Sequence, residues 1–281
     1  GEVFGAMIHI ITVHFEDDSW IDLQLSYFKR FIDAEYRIYT SLEGISKSDS
    51  HDFFYKTYET IGKHHTKLNI LADIVLFASD SDDDIIIFID GDAFPIARLN
   101  DFLEKNLSQY PLLAIQRLEN NGDIQPHPCF AATTVGFWKK IKGDWNKGYC
   151  WEDSEGKKVT DTGGNLLGIL EEKNEKWLPL VRTNSNNLHP LLFGVYGDLI
   201  YHHGAGFRDA VLRMDDPLHN AKDLWFQYVS KIPDQFGGFR IKKLLHPAYK
   251  EYEQVKFRNK VLSEQVFTTI KKDLDFYKEF I

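Results

Sequence analysis

The stretch Ile85-Ile86-Ile87-Phe88-Ile89-Asp90-Gly91-Asp92-Ala93-Phe94-Pro95 constrains this chain more than any other. Five apolar residues run without a polar interruption, the pattern of a central strand buried on both faces of a parallel sheet. The run ends at two carboxylates. Ligands of open α/β sheets gather at the carboxyl ends of the strands, so Asp90 and Asp92 stand where a ligand binds. Two residues apart on an extended chain, they point to one side, and Gly91 lets the backbone bend or a ligand come close. Converging carboxylates at the edge of a dry sheet repel unless a cation neutralises them. The spacing therefore predicts a metal site. An acidic turn is the ordinary alternative for Asp-Gly-Asp, and the buried strand ahead of it weighs against that. Asp80, Asp82, Asp83 and Asp84 read as a charge run in a solvated loop.

The flanking chain alternates strand and helix signals. Residues 6–14 make an apolar strand. Asp17, Asp18 or Ser19 caps a helix whose apolar positions Ile21, Leu25, Phe28 and Ile32 recur at helical spacing. Residues 36–40 are a second strand. Residues 64–78 are a second helix, with Leu68, Leu71, Val75 and Leu76 on one side. This alternation predicts a parallel, doubly wound α/β sheet. It has no Gly-x-Gly-x-x-Gly fingerprint, so a dinucleotide cofactor is not expected. A helix at 99–107, strands at 112–116 and 130–135, and a helix at 165–172 follow. Residues 145–164 are mostly loop, and residues 191–201 make one last strand. Leu262, Val266, Ile270, Leu274, Tyr277 and Ile281 form a stripe at three- and four-residue intervals, which predicts a terminal helix packed on the body. The division expected is a catalytic domain over residues 1–214 and a helical extension over residues 215–281.

A second constellation is His202-His203-Gly204-Ala205-Gly206-Phe207-Arg208. A strand alternates its faces, so only one of the two histidines points at the carboxylates. The glycines allow backbone N–H groups to approach an anion, and Arg208 offers charge-assisted bonds to phosphate oxygens. Two carboxylates with one imidazole suit Mn2+ better than Ca2+, with Mg2+ as the alternative.

Taken in order, the Rossmann-like first half, the hydrophobic strand ending in Asp-x-Asp and the distal His-x-x-Gly resemble a GT-A-fold glycosyltransferase, closest to the retaining galactosyltransferase and glycogenin type. The resemblance covers roughly residues 6 to 208. It implies a Rossmann-like central mixed sheet flanked by helices, with the C-terminal helices as an appendage. It implies Mn2+ on the diphosphate of a nucleotide sugar, a UDP-sugar foremost, held by Asp90, Asp92 and His203, with Gly206 completing His-x-x-Gly. The family continues with Lys-Pro-Trp, whose Lys binds the diphosphate; here Arg208 stands near that place without Pro-Trp. The family also carries a basic residue on the helix before the Asp-x-Asp strand, which makes Lys67 a donor contact. It seats the base and ribose at Thr12, Val13 and His14. Asp161, in Thr160-Asp161-Thr162-Gly163-Gly164, falls where the family's Asp-rich motif meets the reacting sugar, although the usual Gln is missing; capping of the following helix is the alternative.

Breaking a glycosidic bond to a nucleoside diphosphate builds negative charge on the leaving phosphate, which a metal and Arg208 would stabilise. An inverting enzyme also needs a carboxylate base beside the acceptor hydroxyl. Glu152 and Asp153, next to Trp151, are candidates for that base and keep the stereochemistry open. Trp151 and His127 are the candidate acceptor contacts, since aromatic and imidazole groups in long loops suit sugars. A glycan or glycolipid is the acceptor class expected, and the family resemblance implies surface-polysaccharide assembly as the setting.

The net charge of −9 argues against non-specific nucleic-acid binding. From Phe239 onward ten Lys/Arg face six Asp/Glu. That basic tail is compatible with peripheral contact to an anionic membrane, while a solvated helical face explains it as well. Cys129 and Cys150 are too few for a disulfide framework, which fits a reducing, cytoplasmic compartment, with the inner membrane face as its extension. Two rival functions remain. One is a haloacid-dehalogenase-like phosphohydrolase, whose Asp-x-Asp lies nearer the N-terminus and is followed by Thr or Val where this chain has Phe94. The other is a nucleotide-sugar-binding module without turnover.

Overall fold

The computed structural model describes residues 5–47, 51–204 and 249–281. In chain order the first half comprises β1 (Ile8–Val13), α1 (Ile21–Phe31), β2 (Tyr36–Ser41), β3 (Tyr55–Thr57), α2 (His64–Ala78) and β4 (Ile85–Asp90). Next come β5 (Ala93–Pro95), α3 (Leu99–Leu107), β6 (Leu112–Ile115), β7 (His127–Thr134) and α4 (Val135–Ile141). Then follow β8 (Trp151–Glu152), β9 (Lys158–Val159), α5 (Gly164–Glu172), β10 (Leu178–Leu180), β11 (Gly194–Tyr196) and β12 (Ile200–His202), and finally α6 (Tyr249–Lys272) with a 3-10 turn at Phe276–Phe280.

Seven strands form the central sheet in the order β10-β6-β7-β4-β1-β2-β3. β4, β1, β2 and β3 run parallel, and β7 runs antiparallel to both β4 and β6. The sheet is therefore mixed rather than all parallel, as the GT-A layout implied and the strand–helix count alone did not.

The isoleucine run of β4 is central because both of its faces are covered. Ile85, Ile87 and Ile89 pack with Phe28 of α1 and Leu99 and Leu103 of α3. Ile86 and Phe88 face the other way, onto Leu68, Leu71 and Val75 of α2, Trp138 of α4 and Leu166 of α5. This period-two split is what makes a strand of continuous apolar residues stable only inside a three-layer α/β/α body. Register then aligns the strand ends: Val13 of β1 stands opposite Asp90 of β4.

Three expectations change. Residues 191–201 are not one strand: β11 and β12 form a hairpin, because Gly197 and Asp198 both take positive φ, which tight hairpin turns require. β12 then pairs antiparallel with β5, setting His202 opposite Ala93. Asp84 is not solvated: it is buried, with Oδ2 on His9 Nε2 at 3.0 Å and Oδ1 accepting from the Met7 N–H at 3.2 Å. Of the C-terminal stripe, Val266, Ile270 and Tyr277 are buried, whereas Leu262, Leu274 and Ile281 are exposed.

The terminal segment docks on the body. Val266, Ile270, Tyr277 and Phe280 share a core with Trp20, Leu23, Tyr27, Phe94 and Tyr201, and Arg30 Nη2 meets Asp275 Oδ1 at 2.6 Å. The expected boundary at 214/215 lies outside the described residues. No helix among the described residues is long and apolar enough to cross a membrane.

Candidate metal centre

Asp90 ends β4, Asp92 lies past the Gly91 bend, and His202 ends β12. Three long-range constraints bring them together: the β4–β1 register, the β5–β12 pairing, and the hydrogen bond from the His203 N–H to the Asp92 carbonyl at 3.0 Å. His202 Nε2 lies 3.2 Å from Asp92 Oδ1 and 3.4 Å from Asp90 Oδ2. One ligand atom from each residue falls within 4.8 Å of the others. The Gly204 N–H donates to Asp92 Oδ2 at 3.0 Å, so the backbone orients that carboxylate from behind. Asp90 Oδ1 is buried without a hydrogen-bond partner, although His64 Nε2, from the first turn of α2, stands 3.3 Å away. Two carboxylates and an imidazole, with one buried oxygen left unbonded, fit a hard or borderline divalent cation such as Mn2+.

Gln24 of α1 builds the floor. Its Nε2 donates to the carbonyls of Asp90 at 2.8 Å and Ala93 at 2.9 Å, so it clamps both ends of the bend. Its Oε1 lies 3.3 Å from both Thr12 Oγ1 and His14 Nε2. Gly91 is required by close approach: a Cβ there would lie 2.6 Å from His14 Nδ1 and 2.7 Å from the Val13 carbonyl. Gly91→Ala is therefore expected to destabilise the fold by about 1–3 kcal/mol, the range for overpacking a rigid core. A lowered urea midpoint at unchanged slope is the measurement, and a wild-type midpoint would contradict it.

A pocket of about 370 Å³ opens over the cluster. One wall comes from the end of β1 and the start of α2, with Val13, His14, Lys63 and His64; the other carries Arg117, His127, Pro128 and Asp161. Of the residues chosen from sequence, Val13, His14, Asp90, Asp92, His127 and Asp161 are brought to this pocket. Asp161 sits at its edge, with Oδ1 accepting from the Thr162 N–H at 2.8 Å and 3.2 Å from Lys147 Nζ. It does not cap α5, whose N-cap is Gly163.

Other choices land elsewhere. His203 is turned away from the carboxylates: its Nδ1 meets the Tyr201 hydroxyl at 2.9 Å and its Nε2 meets Ser263 Oγ at 2.8 Å, against Trp20 and Phe193. Alternation along β12 decides this, and His202 takes the place assigned to His203. Lys67 is 3% exposed on the core face of α2, paired with Glu43 at 2.5 Å and 4.5 Å from the centre of the Phe15 ring, and it does not line the pocket. Thr12 points beneath the pocket to Gln24. Asp153 is tied into its own turn, accepting from the N–H groups of Glu155 and Lys157 and from Asn121 Nδ2, and it does not line the pocket. Trp151 is buried against Gly164 rather than presented to a sugar. Gly206 and Arg208 lie outside the described residues. Sequence reasoning missed Gln24, His64 and Arg117. Gln24 alone had a signal, a polar residue three positions after Ile21 and four before Phe28 on the core stripe of α1.

Burial would raise the Asp90 carboxyl, but His202 and His64 outweigh it and hold it well below the usual carboxylate range. Burial alone would lower the His202 pKa; Asp92 and Asp90 outweigh it and raise it to about 9. Three other buried histidines are pushed down, chiefly by burial: His14 to about 4, His127 to about 3 and His203 to about 4. The unfolded chain takes up those protons near pH 6.5 while the native chain does not, so the stability from neutral burial is present above 6.5 and lost as the pH falls toward 4. His202 works oppositely, its contribution present below 6.5 and lost as the pH rises through about 9. Between pH 6.5 and 5 His202 carries its proton in both states and adds no slope, so the three lowered histidines predict a fall in stability, at up to about 1.4 kcal/mol per pH unit for each. Urea unfolding at pH 7, 6 and 5 checks this; a flat profile would contradict it.

No protein-family model matches the chain, and no curated protein matches it. Solved structures do. A mannosyltransferase from Pyrobaculum calidifontis, in complex with GDP-Man and Mn2+, is 12% identical over 92% of this chain and 75% of its own, with a TM-score of 0.43. The catalytic domain of Drosophila β1,4-galactosyltransferase 7, in complex with xylobiose, is 12% identical over 70% of each chain, with a TM-score of 0.40. The glycosyltransferase GlyE of Streptococcus pneumoniae TIGR4 is 10% identical over 94% of this chain and 64% of its own, with a TM-score of 0.36. At such identities and scores neither substrate nor residue roles transfer from them. The seven-stranded mixed sheet flanked by helices, with a DXD-like acidic pair at the end of β4 and His202 of β12 beside it, matches the GT-A layout that the sequence led us to expect.

Proposed function

We propose that this chain is a metal-dependent glycosyltransferase that moves a sugar from a nucleoside-diphosphate sugar, a UDP-sugar foremost, to a glycan or glycolipid acceptor. The observation that carries the reading is the convergence of Asp90, Asp92 and His202 at the carboxyl end of β4, inside a pocket. Asp90, Asp92 and His202 would hold Mn2+, or Mg2+ in its place. A divalent cation there would supply neutralisation of the charge that develops on the departing diphosphate.

The chain's own residues do the rest. Val13 and His14, at the β1 end of the pocket, take the nucleoside side. Lys63 puts positive charge on the same wall, beside His64, where phosphate oxygens are stabilised as the glycosidic bond breaks. Asp161 and His127 flank the opposite end, where the transferred sugar meets the acceptor. Free Cys129 and Cys150 are consistent with a cytoplasmic setting.

Thermal stabilisation by UDP, GDP, ADP and CMP, each with and without Mn2+, tests the reading. A ligand at about a hundred times its dissociation constant adds about 2.7 kcal/mol. One diphosphate should stabilise only with metal and so name the donor's base. A melt that no nucleotide shifts would remove the main support, and a phosphatase assay would follow. Release of sugar from the matching nucleotide sugar then separates a transferase from a binding module.

A further inference from the structure

One side chain in the pocket wall has a bonding capacity that metal and diphosphate leave unused. Arg117 follows β6 and lines the pocket on the side of His127, yet it is only 3% exposed. A guanidinium carries five N–H donors in a planar fork and keeps its charge at any physiological pH. Among the described residues, Nη2 reaches the Leu191 carbonyl at a long 3.5 Å, and Nε is buried with no hydrogen-bond partner. Glu119 Oε1 forms an ion pair with Nε at 3.7 Å, too long for a hydrogen bond. That oxygen already accepts from the Tyr196 hydroxyl at 2.5 Å. Tyr196 and the Glu119 charge stabilise the guanidinium against burial, but its Nε donor still lacks a hydrogen bond, and a buried donor left unbonded is costly. The fork matches a carboxylate, which takes two parallel N–H···O bonds from it.

Its place in the sheet says which part of a substrate it meets. The strands run β6-β7-β4-β1. The acidic pair on β4 therefore separates the wall of Val13 and His14 from the wall of His127 and Arg117. A donor whose diphosphate lies over the acidic pair and whose nucleoside lies toward β1 directs its sugar toward β6 and β7. The geometry points to Arg117 as the specificity residue of a sugar subsite that takes a carboxylated sugar, of the hexuronate class, carried by either the donor or the acceptor. The assignment of the ligand as a sugar rests on the glycosyltransferase reading; the capture of a carboxylate does not.

The first test needs no nucleotide. Calorimetry or saturation-transfer NMR compares methyl β-D-glucuronide with methyl β-D-glucoside on the native chain, on Arg117→Gln and on Arg117→Lys. The acid should bind at least tenfold more tightly to the native chain. Arg117→Gln should erase that preference, and Arg117→Lys, which keeps the charge without the fork, should restore only part of it. Two further pairs, with Mn2+ present, assign the source. UDP-glucuronate against UDP-glucose reports the donor, and a glucuronate-terminated disaccharide against its neutral counterpart, with UDP, reports the acceptor. If no pair is discriminated by the native chain while a diphosphate still binds with metal, the carboxylate subsite is overturned and the transferase reading stands. If diphosphates fail to bind but the glucuronide preference and its loss in Arg117→Gln hold, the subsite stands and the transferase reading falls. Should Arg117→Gln not fold, discrimination by the native chain and its weakening in Arg117→Lys decide.

Discussion

Asp92→Asn should leave the fold standing and weaken Mn2+ binding by more than a hundredfold, with sugar transfer falling at least as far. Loss of outer partners of metal ligands already costs 10–100-fold, and this change removes a ligand charge. The substitution is nearly isosteric, and an amide oxygen still accepts the bond that the Gly204 N–H now gives to Asp92 Oδ2. What disappears is the negative charge 3.2 Å from His202 Nε2, together with the repulsion between Asp92 and Asp90. Without metal, thermal stability should therefore change little, because relief of repulsion offsets the lost pairing. With metal and the matching diphosphate, the stabilisation seen for the native chain should vanish. Calorimetric titration of Mn2+ is the direct measurement. Native-like affinity in Asp92→Asn would place the cation elsewhere and sink the proposed centre.

Gln24→Leu should cost on the order of 4 kcal/mol. Leucine matches the volume but makes none of the four polar contacts. Removing one partner leaves the other with its full desolvation penalty, about 1–3 kcal/mol for each buried group. The groups stranded here are the carbonyls of Asp90 and Ala93, Thr12 Oγ1 and the His14 ring. Against a total stability of about 5–15 kcal/mol, such a loss should lower the melting temperature by about 10 °C for a chain of this size. Thr12→Val, which removes one contact from the same amide, should cost about 1 kcal/mol. Urea unfolding of both variants separates a clamp from an ordinary core position. Equal effects in the two would mean that Gln24 holds nothing in place.

The parts of the fold legible in the sequence were those fixed by local periodicity. The isoleucine run gave β4, and helical spacing gave α2 over His64–Ala78 and α3 over Leu99–Leu107. Asp90 and Asp92 were legible because a buried strand that stops at charges can stop in few ways. The residues misjudged were those whose surroundings depend on distant pairing. Nothing near His202 and His203 tells which one faces β5. Lys67 looks like an exposed helix cation until Glu43 and Phe15, from two other segments, close over it. Asp84 ends an acidic run, yet it also precedes Ile85, and that placement carries it under the sheet to His9. Trp151 and Asp153 lie in a segment without periodicity, where only the folded loop shows which groups are taken.

The successive histidines at the end of β12 live in different chemical worlds, one over carboxylates and one among aromatic rings and the Ser263 hydroxyl. The device that indexes them is the turn at Gly197-Asp198, closed by the Leu199 N–H on the Tyr196 carbonyl at 3.0 Å. Because the pleat repeats every two residues, one residue gained or lost there would exchange the two faces. The imidazole meant for the cation would then be driven into the seam with α6, and its neighbour would be offered to the carboxylates. The length of a hairpin turn thus acts as a counting mechanism for the site, and it ties the identity of the ligand to loop arithmetic rather than to the motif that first drew notice.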